Sequence, residues 1–299
     1  MFFSIFGAQK SGTSAISSYL EQHPSIVGFK STFFHWRFGD FIGPKNANGT
    51  IIKVKEAREA IVNYYFPDEL KANTSLVAFD NWPDNLYRSI EVAPRFRRSC
   101  PRSKIVVILR DPVERAYSHY SMEYQRNKKI RDAKMTFEEF IERDLESLHK
   151  SQIINNSSSC TDEGRLSEEP SECDSLWESY LRKSRIFSAV GRGLYSIQLR
   201  HLFREYDKWG GGRENIVVFE YDELYGNGAQ AAYDRVTDFL GLPRHTLKNT
   251  KPVRVGKYNS PMNATTRKLL SDIFEPFTCQ LPELLGKNWQ QVWNVTCTK

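Results

Sequence analysis

Lys10 stands in the stretch GAQKSGTSA, three residues after Gly7 and two before Gly12, between an apolar run (residues 2–6) and the amphipathic stretch TSAISSYLEQHP. A glycine-containing turn that joins a strand to a helix aims backbone N–H groups and the start of the helix at a bound anion. An ammonium in that turn suits a phosphate or a sulfate. The ATPase form of such a loop, G-x-x-x-x-G-K-[ST], sets its lysine directly before the helix. Here Thr13 holds that place, and the nearest candidate for a magnesium-binding strand, IVVILRD, has Arg110 in front of its aspartate. A magnesium-dependent nucleotide hydrolase or kinase is therefore disfavoured. Magnesium-dependent ATP binding would be its mark.

A second set of charged residues lies at the end of SKIVVILRDP, a short β-branched run that reads as a buried parallel strand. Arg110 falls at the C-terminal end of that strand, where α/β sheets bind ligands. Its planar fork suits a terminal phosphate. Pro112 then opens a helix, PVERAYSHYSMEYQRN, and Ser118 follows Arg110 by about two helical turns.

The elements that must carry these residues alternate. Strands are expected at residues 2–6, in SIVGFK, in SLVAFD, in SKIVVIL and in IVVFEYDEL. Helices are expected at TSAISSYLEQHP, EAREAIVNYYF, PVERAYSHYSMEYQRN, TFEEFIERDLESL, RGLYSIQLRHLFREYDKW, AAYDRVTDFLGLP and NATTRKLLSDIFEPF. Thr136 and Glu139 form a capping box for the fourth of these helices. Alternation of this kind predicts an α/β fold with a central parallel sheet flanked by helices. We expect one domain over residues 1–299, with 150–176 as a polar loop excursion. The 40% hydrophobic and 13% aromatic content supplies a substantial core. Lys and Arg number 42 against 36 Asp and Glu, a net charge of +6 that fits an anionic ligand as well as a mildly basic surface.

No apolar run reaches the ~18 residues of a membrane span. The opening MFFSIFG has neither a basic n-region nor a cleavage site. Two features point to a catalytic portion of a longer lumenal chain rather than a cytosolic protein. Sequons begin at Asn48, Asn73, Asn155, Asn156, Asn263 and Asn294. Cys160 and Cys173 bracket the polar stretch, where a disulfide would contribute roughly 3 kcal/mol in an oxidising compartment. Two free thiols in a cytosolic protein are the alternative. The pairing of Cys100, Cys279 and Cys297 stays open.

The order K-x-G-T, then strand-R-D-P-x-x-R-x-x-S, resembles the sulfotransferases that use 3′-phosphoadenylyl sulfate (PAPS). The stretches HPSIVGFK, ILRDPVERAYSHY, RGLYSIQLRHLFREY, VTDFLGLP and SPMNATTRKLLSDIFEPF extend the likeness to the Golgi carbohydrate sulfotransferases. Within them it is nearest to the N-acetylgalactosamine 4-sulfate 6-O-sulfotransferase branch, then to the heparan sulfate sulfotransferases. The resemblance implies a P-loop-like sulfotransferase fold and a PAPS co-substrate without a metal. Lys10, Ser11, Gly12, Thr13 and Ser14 would cradle the 5′-phosphosulfate, and Arg110 and Ser118 would hold the 3′-phosphate. Tyr195 and a closing loop with Arg254, Gly256, Lys257 and Tyr258 are further donor-site candidates. Asp80 and Asn81 would line the acceptor cleft. It also implies a glycan acceptor of glycosaminoglycan type, no nucleic acid partner, and a Golgi-lumenal type II protein whose anchor is absent from this chain.

One departure bears on catalysis. The family's lysine corresponding to Lys30 is usually followed by a glutamate, the expected general base, whereas this chain has Ser31. His35 is the local substitute, its imidazole suited to accept a proton near neutral pH. Asp80 is a second candidate, and Lys30 reads as a donor-side cation. The missing glutamate also raises a contrasting reading, a catalytically weak or inactive PAPS-fold protein that binds sulfated glycans.

Overall fold

A computed structural model describes residues 2–29, 75–155, 159–162, 170–184, 186–208, 212–251, 253, 261–287 and 289–297. In chain order its main elements are β1 (Phe2–Gly7), α1 (Thr13–Leu20), β2 (Ile26–Phe29), β3 (Val77–Asn81), α2 (Ser89–Ser99), β4 (Lys104–Leu109) and α3 (Pro112–Arg126). They continue with α4 (Phe137–Lys150), α5 (Glu172–Lys183), α6 (Tyr195–Asp207), β5 (Ile216–Glu220), α7 (Gly228–Leu240) and α8 (Ala264–Thr278). The expected helix over 56–66 lies outside the described residues.

The strands form one sheet in the order β2-β3-β1-β4-β5, and β1 runs parallel to both β3 and β4, as β2 does to β3. This is the α/β architecture with a central parallel sheet that the alternating sequence predicts. The period of two along a strand divides its side chains between faces. Phe3 and Ile5, Val77 and Phe79, and Val106 and Ile108 share one face, buried with Ile16, Tyr19 and Leu20 of α1 and Tyr233 and Val236 of α7. On the other face the rings of Phe2 and Phe6 lie 6.0 and 5.0 Å from that of Phe96 in α2. Each such side chain contributes roughly 1.5–3 kcal/mol on burial.

The chain divides into two compact units, Met1–Ile108 with Glu205–Arg254, and Leu109–Arg204 with Val255–Lys299. The first contains the sheet. Within it the Tyr19 hydroxyl donates to the carbonyl oxygens of Leu224 (3.0 Å) and Thr250 (3.3 Å). Gln22, just past α1, accepts from the N–H groups of Lys248 and Asn249 and donates to the Asn249 carbonyl. These bonds tie the chain on both sides of α7 to the loop-bearing helix.

The second unit is largely helical. Asp111 caps α3 by accepting from the N–H groups of Val113 (2.8 Å) and Glu114 (3.0 Å), with Pro112 at the first helical position. The capping box of Thr136 and Glu139 is formed at α4. A second one, Ser171 with Asp174, starts α5, a helix that composition alone concealed within a polar region. Helix α6 begins at Tyr195 rather than Arg192, because residues Gly191–Gly193 form a tighter 3₁₀ turn. Cys160 and Cys173 are disulfide-bonded as the sequence led us to expect, and Cys279 pairs with Cys297. Cys100 is not in a disulfide.

Candidate functional site

The loop of residues 7–13 is folded by backbone conformations that few side chains tolerate. Gly7 has φ +151°, and a Cβ there would lie 2.8 Å from the Pro83 carbonyl oxygen and 2.9 Å from Leu86 Cβ. Gly12 has φ +84°, and its Cβ would lie 2.9 Å from Leu224 Cδ1. Lys10 is itself left-handed, at φ +72°. Reversing hand at residues 10 and 12 curls the backbone into a concavity in the manner of an anion-binding nest. The curl is pinned by Ala8 N–H donating to the Ile108 carbonyl (2.7 Å) and Ser11 N–H donating to that of Ala8 (3.1 Å).

Helix α1 starts from this curl with Gly12 as its N-cap, no capping side chain and no acidic residue in its first turn. Its positive dipole end therefore faces no carboxylate of its own. Ser11 is fully buried, and its hydroxyl has no hydrogen-bond partner among the described residues. An uncapped helix start, a curled loop and an unused hydroxyl suit a tetrahedral oxyanion.

Asn81, at the end of β3, braces the same turn. Its side-chain amide donates to the Thr13 carbonyl (3.0 Å) and to Ser17 Oγ (2.6 Å), and Ser17 donates onward to Thr13 (2.9 Å). Asp80 stands beside Ser4 in the β1–β3 register and is only 2% exposed, both carboxyl oxygens shielded from solvent. Burial pushes its carboxyl up to about 7, against the opposing pull of the Ser4 hydroxyl and the Asn81 amide. A raised pKa in the folded state means that stability from this group is present below its ordinary value of 3.8 and lost as pH rises through about 7. Asp80→Asn should thus remove about 3 kcal/mol of stability loss between pH 5 and pH 8. Urea titrations at both pH values check this. Parallel losses in the two proteins would rule out a neutral buried carboxyl.

In the second unit, Arg110 is half-buried at the end of β4, and the Tyr195 hydroxyl donates to its carbonyl oxygen (2.9 Å). Ser118 lies in α3, 4% exposed. Arg115, three residues before it, is fully buried, and its guanidinium donates to the Ala189 carbonyl. Burial lowers the Arg115 pKa to about 10, Arg192 and Arg110 push it further down, and Tyr195 and Asp144 oppose them. This concentration of guanidinium groups is a favourable field for an anion.

Sequence reasoning missed the supports of this region. The buried carboxylate of Asp144 accepts from the Tyr180 hydroxyl (2.7 Å) and from the N–H groups of Val190 (2.6 Å) and Gly191 (3.0 Å). It thereby fixes the turn leading into Tyr195. Burial raises its pKa to about 6, although these donors and Arg115 pull it down. Asp174 joins His201 (2.8 Å) and Arg204 (2.7 Å), securing α5 to α6. Burial would raise the Asp174 pKa, but these two partners hold it well below the usual carboxylate range. The signal for both aspartates was their place on otherwise apolar helix faces.

Lys30, Ser31 and His35, and Arg254, Gly256, Lys257 and Tyr258, lie outside the described residues. Among the described residues no group of three or more His, Cys, Asp and Glu could hold a metal ion, and no helix is long and apolar enough to cross a membrane.

A parallel sheet with a curled, lysine-bearing loop feeding an uncapped helix defines a class of α/β proteins built to hold an anionic ligand. Comparison with known families narrows the class. The Sulfotransferase domain family matches residues 3–265, and the chain belongs to that family. It is 22% identical over 96% of its length to the membrane-associated sulfotransferase kil1 of Dictyostelium discoideum, and spans 66% of that protein. Over 40% of its length it is 34% identical to the bifunctional heparan sulfate N-deacetylase/N-sulfotransferase 2 of Bos taurus, of which it spans 12%. The crystal structure of a sulfotransferase from Alicyclobacillus acidocaldarius has the same fold, with a TM-score of 0.62 at 20% identity over 98% of both chains.

Proposed function

We propose that this chain transfers a sulfuryl group from PAPS to a hydroxyl of a glycan, with a glycosaminoglycan-like polysaccharide as the acceptor class. The observation that carries the reading is the loop of residues 7–13, where a left-handed Lys10 precedes a helix start without cap or acidic residue. In a member of the Sulfotransferase domain family, a 5′-phosphosulfate is the anion that such a cradle suits. In this reading Lys10, Ser11, Gly12, Thr13 and Ser14 take the 5′ end. Arg110 and Ser118 take the 3′-phosphate, with Tyr195, Arg254, Gly256, Lys257 and Tyr258 as further donor-side residues. The family match runs through both compact units, which supports treating residues 1–299 as one sulfotransferase domain.

The chemistry is an in-line displacement at sulfur. The acceptor oxygen forms a new S–O bond as the bond to the 5′-phosphate oxygen breaks, and the products are the sulfated glycan and 3′-phosphoadenosine 5′-phosphate. Charge builds on the departing oxygen, so a fixed cation and N–H dipoles there should supply most of the acceleration. Lys10 fills that role, with Lys30 as a second cation. The acceptor proton goes to His35, which takes over from the glutamate that Ser31 replaces. Asp80 and Asn81, expected on the acceptor side, act in this scheme without touching the glycan: Asn81 braces the Thr13 turn, and Asp80 is a buried carboxyl at the end of β3.

The relatives support the glycan and the compartment. One is named for heparan sulfate and another for membrane association, and two disulfides fit an oxidising lumen. A Golgi-lumenal protein of the N-acetylgalactosamine 4-sulfate 6-O-sulfotransferase branch is consistent with these features. The test is incubation of the purified chain with radiolabelled PAPS and chondroitin, dermatan and heparan acceptors, with EDTA present. Label in one or more glycans, lost in the His35→Ala chain, is the expected result. Binding of 3′,5′-ADP without transfer to any acceptor would favour a glycan-binding protein. Tight ATP binding that needs magnesium would overturn both.

A further inference from the structure

The proposed donor site has a brace outside the loops that would touch the nucleotide. Arg110 is followed by Asp111 and Pro112, and the Asp111 side chain is already committed to capping α3. The orientation of the 110–111 peptide is set from elsewhere, because the Arg110 carbonyl accepts the Tyr195 hydroxyl at 2.9 Å. Tyr195 is 1% exposed. Its ring lies 6.0 Å from that of Trp293, which lies 5.0 Å from that of Trp289, both indoles being buried. The two tryptophans sit in the segment closed by the Cys279–Cys297 disulfide. From the other side, the turn into Tyr195 is held by Asp144.

We propose that Tyr195, backed by the Trp289–Trp293 pair inside the Cys279–Cys297 loop, is a positioning residue that fixes the Arg110 backbone and so sets affinity for a nucleotide bearing a 3′-phosphate. The inference rests on the donor reading above. It differs from that reading in giving Tyr195 no contact with the donor: the phenol orients a peptide, and that peptide aims the guanidinium. The C-terminal disulfide becomes part of the donor site's support. Opening it frees the segment that presses on the phenol ring, so the affinity for donor depends on the oxidation state of a cysteine pair distant in sequence from either anion loop.

The experiment compares 3′,5′-ADP with 5′-AMP, which lacks only the 3′-phosphate, by calorimetry on the whole chain. In Tyr195→Phe, affinity for 3′,5′-ADP should fall about five- to tenfold, the effect of losing one hydrogen bond to a buried carbonyl. Affinity for 5′-AMP should stay constant, and donor KM should rise. The Cys279→Ser/Cys297→Ser chain, which retains the phenol, should show the same loss of discrimination. A general loss of packing would weaken both nucleotides alike, and that result in either variant overturns the proposal. Unchanged discrimination in both variants overturns it as well. If the unmodified chain itself binds 3′,5′-ADP no better than 5′-AMP, the donor reading falls first.

Discussion

Lys10→Ala should lower kcat by about 10²–10³-fold, the usual effect of removing one preorganised stabiliser of developing charge. Donor binding should weaken far less. The loop amides and the start of α1 remain to hold the ground-state anion, whereas the Lys10 ammonium chiefly answers the charge that grows on the departing oxygen. The substitution also releases a left-handed non-glycine residue at φ +72°, so a control is needed. Lys10→Gly keeps the backbone hand available and removes the same charge. Both variants should retain 3′,5′-ADP binding and lose turnover together in single-turnover assays. If Lys10→Gly restored near-normal kcat, the loop's shape would matter and its cation would not.

The second large effect is expected at the other anion. Arg110→Ala should weaken 3′,5′-ADP binding by about 10–100-fold, the range for charge-assisted hydrogen bonds from a bidentate donor. It should leave kcat at saturating donor within a few fold. Arg110→Lys should recover only part of the affinity, because a point charge cannot reproduce the planar fork. Titration calorimetry against 3′,5′-ADP measures this directly. Unchanged affinity in the alanine variant would remove Arg110 from the 3′-phosphate. Together the two substitutions separate the reacting end of the nucleotide from its anchoring end, one changing kcat and the other KM.

Much of this was legible in the residues. The strand, glycine turn and helix of residues 2–20 carry local signals that agree with each other, and so does the Asp-Pro junction that starts α3. Short apolar runs bounded by turns identified the strands of the sheet, including Val77–Asn81 and Ile216–Glu220. Other parts were hidden for physical reasons. Helix α2 carries Pro94 in its interior, a residue that argues against a helix locally and is overridden by the packing of Phe96 on β1. Helix α5 follows a Ser- and Glu-rich stretch, and much of what holds it is tertiary: buried Trp177, Tyr180 and Leu181, and the bonds of Asp174 to His201 and Arg204. Periodicity places Asp144 on the apolar face of α4 but could not announce its partners Tyr180, Val190 and Gly191, which lie far off in sequence. The Cys279–Cys297 pairing was open for the same reason, since spacing does not determine connectivity.

The strand order has a bearing on how the chain is made. The central tract Ile105–Leu109 is entirely buried and pairs on one side with β1, but its other neighbour, β5, is translated long afterwards. Until then a nascent chain presents an apolar edge of unsatisfied N–H and C=O groups, the kind of template on which chains associate. Truncation before Glu205 would make that state permanent, and such fragments should precipitate rather than fold. Folding of this chain thus leaves one short hydrophobic tract open until the ribosome has delivered β5.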